Sequence, residues 1–288
     1  MNSILKIGKW DVYPLETGTF RLDGGAMMGS VPKVLWEKTN SADKLNRINL
    51  AMRCLLLDDG ENRVVIETGI GNKNSDKFID NFHIKQGIAT LSNTLSNVGY
   101  SIADITDVII THLHFDHSGG ATSIDENGEL IPTFPNAKYW ISETNWNHAN
   151  NPNPKDRASY LNENFLPLKD AGVLNLIPDN SDIMNGISTI GVNGHTVGQQ
   201  LIKINSMNET LVFCGDLIPI RSHLRLPYIM GYDLSAIQTL QEKTEFLNQA
   251  SKGNWWLWFY HDPQTIMVQI SEGEKHYKVI NEVRKDRQ

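Results

Sequence analysis

The 288-residue chain is 40% hydrophobic and 20% charged, the balance of a folded globular protein, which excludes disordered, collagen-like and disulfide-scaffold classes. A formal net charge of −7 argues against nucleic acid as a partner, since phosphate contacts need a basic surface to release counterions. No run approaches the ~20 apolar residues that span a bilayer, so no membrane partner is expected.

The start, MNSILKIGKWDVYPLETG, lacks the basic opening, apolar stretch and small-residue cleavage site of a secretory signal, and the chain reads as soluble and unprocessed. Residues 50 to 66 hold two apolar runs, LAMRCLLL and RVVIE, around the turn DDGEN, a hairpin signal. Ile84, Ile88, Leu91, Leu95 and Val98 recur at helical spacing before Gly99, which predicts a helix there. Asp107 to Thr111 (DVIIT) is a buried-strand run that delivers the chain into HLHFDHSGG.

Further strands are expected from AKYWIS, VLNLIP, GISTIGV, QLIKINS, TLVFCGD and WWLWFYH, and Leu234, Ile237, Leu240 and Leu247 mark a late helix. The Asn- and Pro-rich stretch Ala149 to Arg157 reads as an exposed loop rather than a domain boundary, so one domain over residues 1–288 is expected. Cys54 and Cys214 sit in apolar runs and are too few for a disulfide framework, which suits a reduced, cytoplasmic setting.

Chemistry concentrates in His112, His114, Asp116 and His117. In an extended segment the first three point to one side, and a tightening near Ser118-Gly119-Gly120 is needed to bring His117 round. Four clustered ligands cannot fill two coordination shells, because a catalytic zinc takes about three protein ligands and keeps a position open. His195 in GVNGHTVGQ, Asp216 in VFCGDLIP and His261 in LWFYHDP, each at a run's end or in a Gly-bounded turn, are the candidates to complete them.

This series, HxHxDH followed by a distant His, Asp and His, resembles the metallo-β-lactamase superfamily, as does VVIETGIG with Glu67 where Asp is commoner. The resemblance implies an α/β fold, an αββα sandwich with the site at one edge of the sheets, and two divalent metal ions per chain, zinc first among them. It implies that His112, His114 and His195 hold one ion, that Asp116, His117 and His261 hold the other, and that Asp216 bridges. The 77 residues between His117 and His195 look closer to the lactonase and organophosphate-hydrolase branches of the family than to its thioesterases, and GTFRLDGGAMMGSVPKVLW and GDLIPIRSHLRLPYIMGYD are similar to segments of the quorum-quenching N-acyl-homoserine lactonases. Those enzymes carry a Tyr three residues after the bridging Asp, where this chain has Pro219; His223, Tyr228 and Tyr232 are the candidate substitutes.

The expected activity is therefore hydrolysis of a small-molecule lactone. Two ions sharing a water would lower its pKa and present hydroxide, and Asp116 would carry the proton to the leaving oxygen. Phosphotriesters, thioesters and β-lactams are the alternative substrates, and a non-catalytic metal-binding protein is the alternative class. Met27, Met28, Trp36 and Trp146 are expected to supply apolar substrate contacts together with His223 and Tyr228. The apolar amino-terminal segment suggests a homodimer.

Overall fold

Strand alternation builds two facing sheets in the computed structural model, which describes residues 2–285; Met1 and residues 286–288, included in the expected single domain, lie outside them. The first sheet is formed by β1 (Leu5–Ile7), β2 (Trp10–Asp23), β3 (Arg47–Asp58), β4 (Arg63–Ile66) and β5 (Asp107–Ile109). A separate hairpin, β6 (Thr122–Ile124) and β7 (Leu130–Pro132), precedes its last strands, β8 (Lys138–Ser142) and β9 (Leu174–Ile177). The second sheet runs in chain order through β10 (Asp182–Met184), β11 (Ile187–Val192), β12 (Gln199–Ser206), β13 (Glu209–Phe213), β14 (Trp256–Trp258), β15 (Thr265–Ser271) and β16 (Lys278–Arg284).

Pairing is antiparallel from β1 to β4 and parallel from β4 through β5 and β8 to β9. The second sheet is antiparallel except between β13 and β14. Period two sorts its side chains: Phe213, Trp258 and Tyr260 enter the core shared with the first sheet, while Val212, Leu257 and Phe259 face a second core with Phe246, Leu247 and Ala250. The sheets are stitched where Ala51 N–H donates to His261 O at 2.9 Å and Arg53 N–H to Tyr260 O at 3.1 Å.

Helices α1 (Gly24–Met28) and α2 (Lys33–Trp36) follow β2, α3 (Asp76–Phe82) and α4 (Leu91–Asn97) precede β5, and α5 (Phe115–Ser118) follows it. Next come α6 (Glu143–Asn150), α7 (Leu166–Asp170) and α8 (Ala236–Lys252). Helix α4 packs beside β2, α6 beside β8 and β9, and α8 beside β15, giving the αββα layering. No helix of the described residues is long and apolar enough to cross a membrane.

The hairpin at 50–66 forms, with Asp58 opposite Arg63. The helix expected over Ile84 to Val98 is shorter. Lys85 exchanges backbone hydrogen bonds with Thr19 of β2, at 2.9 and 2.7 Å, and Thr90 starts α4 by accepting from Asn93 N–H. Ile84 is therefore drawn to the sheet and Ile88 is left 85% exposed. In α8 the buried residues are Thr239, Lys243, Phe246, Leu247 and Ala250, whereas Ile237 is 69% exposed and Leu234 precedes the helix. The expected loop at 149–157 begins inside α6, and its Asp156 is buried. Cys54 and Cys214 are both buried and free.

Candidate metal centre

β5 is central and parallel on both sides, so the chain leaves it with its backbone already committed, and Thr111 N–H is capped by Glu67 Oε1 at 3.0 Å. His114 follows in extended backbone, but the tightening comes earlier than expected: the single turn α5 already contains Asp116, which therefore leaves the extended run together with His117, and it is closed by His117 N–H to His114 O at 3.0 Å. Gly119 and Gly120 allow this turn to lie on the loop after β4: a Cβ at either would stand 2.2 or 2.1 Å from the carbonyls of Ile70 or Thr68. His195 comes from the β11–β12 turn, Asp216 from the end of β13 and His261 from the end of β14.

These seven side chains meet in two groups. His112 Nε2 lies 3.1 Å from His114 Nδ1, which lies 3.3 Å from His195 Nε2, itself 3.3 Å from Asp216 Oδ2. His117 Nε2 lies 3.3 Å from His261 Nε2; Asp216 Oδ1 is 3.5 and 3.3 Å from these two atoms, and Asp116 Oδ2 is 3.8 and 3.5 Å from them. Ligand atoms about 2.0–2.1 Å from one tetrahedral zinc stand about 3.3–3.4 Å apart, so both groups fit a cation. Buried imidazole lone pairs converging without enough protons to share are otherwise costly.

The outward nitrogens are held as well. His112 Nδ1 pairs with Thr111 Oγ1 at 2.9 Å, His195 Nδ1 with Asp233 Oδ1 at 2.9 Å, and His261 Nδ1 donates to Ala51 O at 2.9 Å. His117 Nδ1 lies 3.4 Å from Glu67 Oε1. Such contacts fix which ring nitrogen faces the ion. Pro219 contributes its carbonyl, which accepts His261 N–H at 3.0 Å. Asn145, fully buried, joins the two loops of the first group: Oδ1 accepts Leu113 N–H at 2.9 Å and Nδ2 donates to Val197 O at 2.7 Å.

Burial, then the neighbouring histidines, push His112 and His114 well below the ordinary imidazole range, which leaves them neutral. Burial opposes charge on Asp216 too, but His117 and His261 outweigh it and hold the carboxyl well below its usual range. At His117 burial is again overcome, by Asp216, Asp116 and Glu67, and its pKa rises well above normal. The neutral His112 and His114 rings beside the ionised Asp216 carboxylate draw positive charge.

A cavity of about 240 Å³ opens on the centre, lined by His114, Asp116, His195, Asp216 and His261 together with Leu22, Met27, Phe82, Phe115, Met230 and Tyr232. Lys155, Asp156 and Ser159 form its polar side. Of the six residues expected to touch substrate, Met27 alone lines it. Met28 and Trp36 are fully buried in the core, the Trp36 ring lying so close under Gly24 that a Cβ there would be 2.5 Å away. Trp146 packs edge-on against Phe165, and His223 Nε2–H donates to Met27 O at 2.9 Å, one layer behind the wall. Tyr228 lines a different cavity, beside Arg221 and Arg225. Phe82, Phe115, Met230, Asn145 and Asp233 carried no sequence signal, because each acts through a neighbour distant in the chain.

The two-sheet sandwich, with seven ligand-type residues gathered at the strand ends of one edge, defines a class. The chain belongs to the metallo-β-lactamase superfamily, whose family model matches residues 53–259. Among relatives, an N-acyl homoserine lactonase of Bacillus cereus is 27% identical over 176 residues, 58% of this chain and 63% of the relative. A probable metallo-hydrolase of Mycobacterium tuberculosis is 24% identical over 65% of this chain and 64% of its own length. The chain thus spans less than two thirds of the curated relatives it matches. A solved probable metal-dependent hydrolase from Staphylococcus aureus superposes with a TM-score of 0.89 at 30% identity, covering 99% of this chain and all of that one. AidC, a dizinc quorum-quenching lactonase, superposes with a TM-score of 0.78 at 22% identity over 98% of this chain and 97% of its own.

Proposed function

We propose that the protein is a dinuclear lactonase that opens the ring of N-acyl homoserine lactones, with two divalent ions, zinc first among them. The observation that carries the two-ion reading is Asp216: its Oδ2 reaches the His112–His114–His195 group and its Oδ1 the His117–His261 pair. Likeness to lactonases supports the substrate class, as does a cavity walled by Leu22, Met27, Phe82, Phe115 and Met230 that suits an acyl chain.

Two ions held here would, when bound, acidify a shared water and polarise a carbonyl, so no side-chain nucleophile is required. His112, His114, His195 and Asp216 Oδ2 would hold the first; Asp116, His117, His261 and Asp216 Oδ1 the second. Asp116, on the cavity wall, takes the proton and returns it to the alkoxide released by ring opening. Of the three candidates for the carbonyl-binding role left open at Pro219, Tyr232 is the one on the cavity wall; it is 38% exposed, and burial of its phenol keeps it protonated as a donor, the pKa raised to about 12. Lys155 and Ser159 offer further donors on the polar side.

The buried free cysteines suit a cytoplasmic setting, and the exposed Val34, Leu35 and Leu45 near α2 support a homodimer. The test is a substrate panel on the zinc-loaded chain: N-acyl homoserine lactones, an aryl phosphotriester, a glutathione thioester and a β-lactam. The lactones are expected to be turned over with the highest kcat/KM. Strong phosphotriester hydrolysis without lactone opening would replace the lactonase reading by a phosphotriesterase, and fewer than two ions per active chain would overturn the dinuclear one.

A further inference from the structure

His112, His117, His195 and His261 each present Nε2 to the ligand cluster; the other ring nitrogen is hydrogen-bonded in His112, His195 and His261, and in His117 it lies 3.4 Å from Glu67 Oε1 without closing a hydrogen bond. His114 is turned the other way, with Nδ1 toward the cluster, and its Nε2 is buried without a hydrogen-bond partner. Two further residues of the same cavity wall carry a buried atom without a partner: Asp216 Oδ1, inside the ligand cluster, and Asp156 Oδ1, outside it. Asp156 is the last but one residue of the Asn- and Pro-rich stretch that the sequence assigns to solvent, yet it is 5% exposed.

Asp156 is firmly held. Its Oδ2 pairs with His148 Nε2 at 2.7 Å and accepts from Thr196 Oγ1 at 3.3 Å. The Tyr160 hydroxyl bonds Thr196 Oγ1 at 2.6 Å, and the Tyr160 ring stands edge-on to His114 at 4.9 Å and to His148 at 5.7 Å. One connected set, from α6, the segment after it and the β11–β12 turn, thus fixes both the carboxylate and the His114 ring. A carboxylate serving only to tether this loop has no reason to keep one buried oxygen without a protein partner, an arrangement that is costly unless a water completes it.

We propose that Asp156, fixed by His148 and Thr196, is the carboxylate that positions His114, accepting the Nε2–H hydrogen bond through one bridging water. The inference rests on the reading of His114 as a metal ligand. An acceptor at Nε2–H fixes the tautomer that leaves the Nδ1 lone pair free and makes that nitrogen a better donor. Asp156 is a positioning residue, and His148 orients it in turn.

The test measures zinc affinity of the full chain by competition with a chromophoric chelator, alongside the visible spectrum of the cobalt-loaded form and the melting temperature of the metal-free form. Asp156→Ala is expected to weaken one of the two ions by about ten- to a hundredfold and to shift the cobalt bands, with Asp156→Asn weakening it less. His148→Gln, which keeps a donor for Oδ2, is expected to stay within about threefold of wild type. Wild-type affinity and unchanged cobalt bands in Asp156→Ala overturn the proposal; if that variant does not fold, the same result in the isosteric Asp156→Asn overturns it. An affinity loss matched by collapse of the metal-free melting temperature assigns Asp156 a purely structural role and overturns it too. A wild-type chain that binds two ions but opens no lactone removes the lactonase reading and leaves this measurement standing.

Discussion

Replacing Asn145 by alanine removes two hydrogen bonds that tie the His112–His114 loop to the turn carrying His195. Leu113 N–H, on a fully buried residue, and Val197 O then lose their side-chain partner, and water has poor access to the first of them. Each buried polar group left unsatisfied costs about 1–3 kcal/mol, which puts the loss at roughly 2–5 kcal/mol once partial relaxation is allowed. For a chain of this size that lowers the melting temperature by about 5–15 °C. Urea unfolding of the metal-free form reads the stability directly, and chelator competition reads the first metal group, whose two loops are no longer held in register. Asn145→Asp should fare no better, since it keeps the acceptor for Leu113 N–H but sets a carboxylate against the Val197 carbonyl. A stability loss below about 1 kcal/mol in Asn145→Ala, with unchanged metal affinity, would refute the reasoning.

Asp116→Asn and His117→Ala are expected to bind one ion instead of two and to lose at least about a hundredfold in kcat while keeping wild-type circular dichroism; metal analysis and a turnover assay check both. Arg53→Met should destabilise the chain by about 3–5 kcal/mol in urea, because the buried guanidinium donates to the carbonyls of Phe259, Asp262 and Thr265 and all three would be orphaned. Burial first, then Lys243, lower the pKa of His223 to about 3, so the folded state keeps this imidazole neutral. The unfolded chain binds the proton from about pH 6.5 downward, so this group's contribution is intact above pH 6.5 and is lost as pH falls toward 3, by up to about 1.4 kcal/mol per pH unit. Stability measured at pH 7 and pH 5 should therefore fall less steeply in His223→Gln than in wild type; equal slopes would show that His223 does not titrate in this way.

The gathering of the candidate ligands was legible because metal chemistry restricts residue types and because HLHFDH packs four of them behind one strand. Strands such as DVIIT and TLVFCGD were legible because a buried two-sided sheet demands unbroken apolar runs. The pocket was not. Phe82 and Met230 meet only after separate segments close over the centre, and Met28 and Trp36, equally apolar, fill the core instead. The helix over Ile84 to Val98 misleads for a related reason: a helical period in the sequence cannot register that Lys85 has a strand partner 66 positions earlier, at Thr19. Asn145 and Asp233 have ordinary local surroundings and gain their role entirely from what lies opposite.

Asp216 hangs from one sheet, and so do His195 and His261; His112, His114, Asp116 and His117 hang from the other. Neither layer owns a complete shell, so a cation held here is a rivet through the seam of the sandwich. Its binding energy adds to folding energy, about 2.7 kcal/mol for each ion present at a hundred times its dissociation constant. The free metal concentration around the protein would then govern its stability as well: in scarcity the seam itself would loosen.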